Sequence, residues 1–208
     1  MKQLILGLAL LLAAAPAAAQ QRISVPTDRP YVHAASGMTF PAQVGGYQRG
    51  ATITRFAADG SDESVSYRLA TPNGFVQATV YVYPSPPIAD AGGDLAAARA
   101  AQCAAQFESV ADEIARTHPN TEVLQSGETQ LRQSDAARSG QALIMTVSSP
   151  SGFGASHPPL RSEAYLFCYV GGRWSVKYRF TYAGELAQAA DVAGFMRDLV
   201  WTIPDGAN

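Results

Sequence analysis

Apolar and polar residues alternate with a period of two along several stretches of the chain and change to helical spacing in two others. The first group of alternating stretches covers Tyr47 to Phe56, then Ser64 to Ala70, where Val65, Tyr67 and Leu69 share a side, then Phe75 to Tyr83, where Val76, Ala78, Val80 and Val82 do. A period of two puts every second side chain on one face, so each stretch predicts a half-buried strand. The reversals between them, Ala57 to Asp62 and Thr71-Pro72-Asn73-Gly74, carry residues that tolerate tight turns. After Pro84 to Gly93, rich in Pro, Gly and Ala, the spacing becomes helical: Ala96, Ala100, Cys103, Phe107, Val110 and Ile114 recur by threes and fours. Asp94 is the natural N-cap, and the helix should run to about Thr117, where His118-Pro119-Asn120 stops it. Four further strands follow near Thr121 to Arg132, Gln141 to Ser149, Arg161 to Val170 and Arg173 to Tyr182. A last helix begins near Gly184 or Glu185, carries Leu186, Ala189, Val192, Phe195, Met196 and Leu199, and ends before Pro204. The order βββ-α-ββββ-α predicts an α+β fold: a single antiparallel or mixed sheet of about seven strands with two main helices packed on it.

Gly171-Gly172 is a strong two-residue hairpin signal. With those two as the turn, Tyr169 faces Trp174, Phe167 faces Val176 and Tyr165 faces Tyr178, so one side of the hairpin is aromatic and predicts a surface covered by a helix. The other side holds Ala164, Leu166 and Cys168 beside Ser175, Lys177 and Arg179. A strand apolar on both sides next to an amphipathic one predicts an interior strand beside one nearer an edge. Lys177 and Arg179, with Arg161, Arg173 and Arg132, would then form a basic strip, read as a solvated edge or as a contact for an anionic ligand or acidic partner.

The first 19 residues stand apart. Lys2 precedes an apolar run, Leu4 to Leu12, and Ala15-Pro16-Ala17-Ala18-Ala19 supplies small residues of the kind a signal peptidase accepts. The organisation expected is therefore a signal peptide over 1–19, an ordered or partly ordered arm over 20–40, which has no clear periodicity, and a single α+β domain over 41–208, exported to the periplasm or beyond. Only Lys2 of the 15 basic residues lies in the leader, leaving 14 against 17 acidic ones. That near-neutral balance argues against a nucleic-acid partner. Two cysteines remain in an oxidising compartment, and a Cys103–Cys168 disulfide joining helix to sheet is the natural reading.

Signals for chemistry are sparse. GxSxG, HExxH, GxxxxGK[ST], calcium-loop and CxxC strings are absent, so no catalytic residue, metal site or cofactor is assigned. The three histidines, His33, His118 and His157, sit where solvent-facing histidines ordinarily do. The acidic turn Asp59 to Glu63 reads as solvated. The most promising segment is the loop Pro150 to Pro159, where Phe153 between glycines, with His157 and Arg161 nearby, could grip a ligand or partner. The functional expectation is a non-catalytic binding or interaction module presenting the loops Pro84 to Gly93 and Pro150 to Leu160 to an unknown protein partner or small ligand. The alternatives are a structural envelope-associated protein, or a small hydrolase using His157 or His118 with a serine or carboxylate.

The segment Ser36-Gly37-Met38-Thr39-Phe40-Pro41-Ala42-Gln43-Val44-Gly45-Gly46-Tyr47-Gln48-Arg49, followed by Ala78-Thr79-Val80-Tyr81-Val82-Tyr83, resembles a group of uncharacterised exported proteobacterial proteins. That resemblance implies an exported stand-alone domain and carries no catalytic residues. The element order and the ending Tyr182 to Ile203 also resemble the α-β-α sandwich of the PsbP-like family, which implies an accessory protein or binding module.

Overall fold

The computed structural model describes residues 20–88, 93–118, 121–133, 136–147 and 159–204. In it the chain builds β1 (Gln21–Ser24), β2 (Tyr31–Val32), β3 (Thr39–Phe40), β4 (Gln43–Val44), β5 (Tyr47–Arg55), β6 (Glu63–Thr71) and β7 (Gly74–Pro84), followed by α1 (Leu95–Thr117). Then come β8 (Glu122–Gln133), β9 (Ala136–Val147), β10 (Leu160–Val170) and β11 (Trp174–Ala183), and finally the short helices α2 (Ala187–Ala190) and α3 (Val192–Asp198). The fold is α+β, with one antiparallel sheet ordered β1-β5-β6-β7-β11-β10-β9-β8, β4 pairing with β5 beside β1, and β2 and β3 forming a separate ribbon. Two meanders meet where β7 pairs with β11, Val80 opposite Tyr178 and Tyr81 opposite Lys177.

Helices cover opposite faces because the two halves of each strand pattern bury different partners. On one face Val76, Ala78, Val80, Val82, Phe167, Tyr178 and Phe180 pack with Phe195, Met196 and Leu199 of the C-terminal segment and with Met38, Phe40 and Val44 of the N-terminal one. Phe195 alone lies edge-on to Tyr67, Tyr178 and Phe180 at 5.3, 6.3 and 5.5 Å between centroids, an arrangement aromatic quadrupoles favour. On the other face Cys103, Phe107, Val110 and Ile114 of α1 cover Leu143, Met145, Ala164 and Leu166 of β9 and β10. Asp94 caps α1, accepting from the Ala97 N–H at 2.9 Å, and the helix ends at Thr117 as its sequence predicts.

The sheet has nine strands rather than about seven, and the two extra are β1 and β4, of four and two residues. The 20–40 segment is stitched on by side chains as well. Arg49, only 3% exposed, donates to the Pro26 and Arg29 carbonyls at 2.5 and 2.8 Å, and Tyr31 donates to the buried carboxylate of Glu63. The expected last helix is broken in two. Asp191 adopts left-handed φ of 37° and its carboxylate caps α3 through the Gly194 N–H at 3.1 Å; a side chain at position 194 would collide with that carboxylate. The β10–β11 turn is one residue longer than a Gly-Gly hairpin. Tyr165–Tyr178 and Phe167–Val176 pair as expected, but Trp174 faces Val170, not Tyr169, across a bulge. Tyr169 occupies the bulge at φ 56°, donating through its hydroxyl to the Pro86 carbonyl at 2.9 Å with Arg99 over its ring. The amphipathic β11 is not near an edge: it lies between β7 and β10 at the middle of the sheet.

Candidate functional site

The α1 face of the sheet is divided. Over β9 and β10 it is apolar and carries the helix; from β11 outward it turns polar. Successive strand pairings place Thr54, Ser64, Tyr81 and Lys177 in one row across β5, β6, β7 and β11, and Ser66, Thr79 and Arg179 in the next. Period-two alternation points all of them to the face opposite Val80 and Tyr178. Because α1 sits over β9 and β10, its flank and this polar half-sheet enclose a cavity of about 560 Å³, lined among others by Asp62, Tyr81, Tyr83, Glu113, Lys177 and Arg179. The polar side of β11 is thus the floor of a cavity and not a solvated edge.

Lys177 is central to it. Its Nζ lies 4.3 Å from the Tyr81 ring centroid and 6.0 Å from that of Tyr83, a cation–π placement that partly offsets lost hydration. Among the described residues it has no ion pair. Burial lowers the Lys177 ammonium below its ordinary pKa, with Arg179 adding to the effect and Glu113 and Asp62 opposing it. Asp62 shows the mirror behaviour: burial raises its carboxyl, against the pull of Lys177. Arg179 donates to Nε2 of His118 at 3.1 Å. A guanidinium only donates, so that nitrogen is the unprotonated one, and burial, then Arg179, hold His118 below its usual range. Tyr81 and Tyr83 are pushed up by burial and are neutral donors.

The residues singled out in the sequence meet different fates. Phe153 and His157 lie outside the described residues, as do 89–92 and 148–158 of the two loops. Arg161 does not join the cavity; on the opposite side of β10 it pairs with Glu163 at 2.7 Å, whose carboxylate also takes the Tyr165 hydroxyl at 2.6 Å and that of Tyr182. Arg161 is thus tied through Nε to a buried carboxylate cluster, its side chain 30% exposed. Cys103 and Cys168 form the expected disulfide. His33 is not solvent-facing: it is fully buried, with Nδ1 2.7 Å from Ser36 Oγ and Nε2 2.8 Å from the Gly60 carbonyl. Nε2 must be the protonated nitrogen to donate to a carbonyl, so Nδ1 accepts from Ser36. The pair has the spacing of a base and nucleophile, but both residues are sealed in the interior at 0% and 4% exposure. Among the described residues the side-chain partner of His118 is Arg179, which occupies its Nε2. The acidic turn is largely consumed, Asp59 by Ser61 and Glu63, 3% exposed, by Arg55 and Tyr31.

Sequence reasoning placed Lys177 and Arg179 on one face but missed Asp62, Tyr81, Tyr83 and Glu113 as their companions. One signal was available: Lys2 and Lys177 are the only lysines in the chain, every other basic residue being arginine. A buried lysine differs from arginine in that its charge responds readily to burial. No protein-family model matches the chain, and no curated protein matches it.

Proposed function

We propose that the protein is an exported, non-catalytic binding module and that its site is the cavity between the α1 flank and the polar half of the sheet, which takes a small polar ligand. The observation that carries this reading is Lys177, held half-desolvated in the cavity against Tyr81 without an ion pair. Removing a charge from water without a partner costs stability, and ionisable groups kept in that condition in a concave site cluster where ligands bind and react. Export is supported by the leader pattern of residues 1–19 and by the disulfide, which persists in oxidising compartments. No helix of the described residues is long and apolar enough to cross a membrane. The test is a thermal-shift and calorimetric panel on the oxidised protein with inorganic phosphate, citrate, trehalose, L-alanine and L-alanyl-L-alanine. At least one should bind and raise Tm in the wild type and fail to do so in Lys177→Met. A flat response to the whole panel would count against the cavity as a site for small polar molecules.

A further inference from the structure

We infer that the ligand of this cavity is a short zwitterion, an amino acid or dipeptide, whose carboxylate is taken by Lys177 and Arg179 and whose ammonium is taken by Asp62 and Glu113. The inference rests on the binding reading above and adds the chemical class. Two cationic and two carboxylate side chains, with Gln20 beside them, line one cavity of about 560 Å³, yet none of the four is in an ion pair; the ion pairs of the described residues involve other carboxylates. Opposite charges on a freely solvated face can swing together. Here the sheet spaces Asp62 from Lys177, and Glu113 faces them from an exposed position on α1. Asp62 immediately precedes β6, and β6 and β11 flank β7 on opposite sides, so two interstrand spacings, about 10 Å, separate the backbones that carry Asp62 and Lys177. The rings of Tyr81 and Tyr83 stand on the strand between, with Lys177 against both. Glu113 lines the cavity from the helix flank, about one turn before the C-terminus of α1 at Thr117.

Each class of ligand can be weighed against that layout. An anion alone would meet Lys177 and Arg179 but face two carboxylates; a cation alone would meet the reverse; a neutral sugar would leave all four charges uncompensated. A molecule with both charges a few ångströms apart answers both ends, and complementary placement of this kind sets specificity more than total affinity. Val110 and Ile114 on the helix flank supply apolar surface for a small side chain. The opposed responses of Asp62 and Lys177 to burial agree with this, because each is held in a setting that disfavours its charge until an opposite charge arrives.

Isothermal titration on the oxidised protein that begins at Gln20 decides it. L-alanyl-L-alanine is compared with N-acetyl-L-alanyl-L-alanine, which keeps only the anion, and L-alanyl-L-alanine amide, which keeps only the cation. The zwitterion should bind at least tenfold more tightly than either capped form. Asp62→Asn should narrow its advantage over the acetylated form, and Lys177→Met its advantage over the amide. Equal binding of a capped form, or binding of phosphate or trehalose alone, would overturn the zwitterion and leave the cavity as a binding site. Absence of binding by every probe, capped or not, would overturn both. The wild-type comparison stands even if a variant fails to fold.

Discussion

Reduction of the Cys103–Cys168 bond is the perturbation whose size follows most directly from the fold. The bond ties α1 to β10 across a sequence separation of 65, and closing a loop of that length in the unfolded chain corresponds to about 4 kcal/mol on the chain-entropy account. It is not what holds the helix in place in the native state. Phe107, Val110 and Ile114 remain packed on Leu143, Met145, Ala164 and Leu166, and each buried side chain of this kind contributes roughly 2 kcal/mol. The reduced protein should therefore stay folded, with α1 docked, but lose about 4 kcal/mol out of a total that for a domain of this size is typically about 5–15 kcal/mol. Urea denaturation of the wild type with and without dithiothreitol, alongside the Cys103→Ala/Cys168→Ala double variant, measures it. Near-UV circular dichroism should be retained in the absence of urea, and the midpoint should fall. A loss under about 1 kcal/mol would refute the loop-closure argument, and loss of native near-UV signal without denaturant would show that the α1 interface cannot stand unaided.

Three other outcomes are expected. Glu63→Ala removes the buried acceptor of Arg55 and Tyr31 and should cost about 3 kcal/mol while exposing the 20–40 segment to limited proteolysis; an unchanged digestion pattern would show that β1, the Arg49 contacts and the packing of Met38 and Phe40 hold the segment without Glu63. Gly140→Ala would bring a methyl within 2.5 Å of the Leu166 carbonyl and the Phe167 ring, an overpacking loss of about 1–3 kcal/mol in chemical denaturation. The cavity charges give opposite pH signatures. Asp62, raised in the folded state, contributes stability below its unfolded pKa that is lost as pH rises through its folded value, so Asp62→Asn should raise Tm at pH 7 and lose that gain below about pH 4. Lys177, lowered in the folded state, contributes stability above its unfolded pKa that is lost as pH falls through its folded value. Lys177→Met should accordingly raise Tm at pH 7, with the gain vanishing at strongly alkaline pH; a drop in Tm at pH 7 for both variants would mean that these charges stabilise the fold rather than serve a ligand.

The seven longer strands and α1 are legible in the sequence because each is long enough for its period to show, and Asp94 and the His118-Pro119 pair mark the limits of α1. β1 and β4 are not, since four and two residues are too few for alternation to register. The break between α2 and α3 is hidden because Leu186, Ala189, Val192, Phe195 and Leu199 recur by threes and fours across Asp191. Most instructive is β11. Its polar face looks like an edge from the hairpin alone, and only the long-range β7–β11 pairing, which no local signal announces, makes it central. A central strand can carry Lys177 and Arg179 because α1 covers only part of the face above. Lys177 and Arg179 share a parity anyone can read, whereas Asp62, Tyr81 and Glu113 come from three separate segments that the tertiary fold alone assembles.

The central claim is that Lys177 faces a ligand-binding cavity, and its solitary status permits a direct test. Reductive methylation with ¹³C-formaldehyde keeps the charge and, in the chain that begins at Gln20, labels Lys177 and the α-amine only. NMR titration of the Lys177 dimethyl signal should give a pKa below that of a free lysine, with a signal that shifts and a pKa that rises when L-alanyl-L-alanine is added. A Lys177 signal that titrates like free lysine and does not move with any probe of the panel would contradict the account.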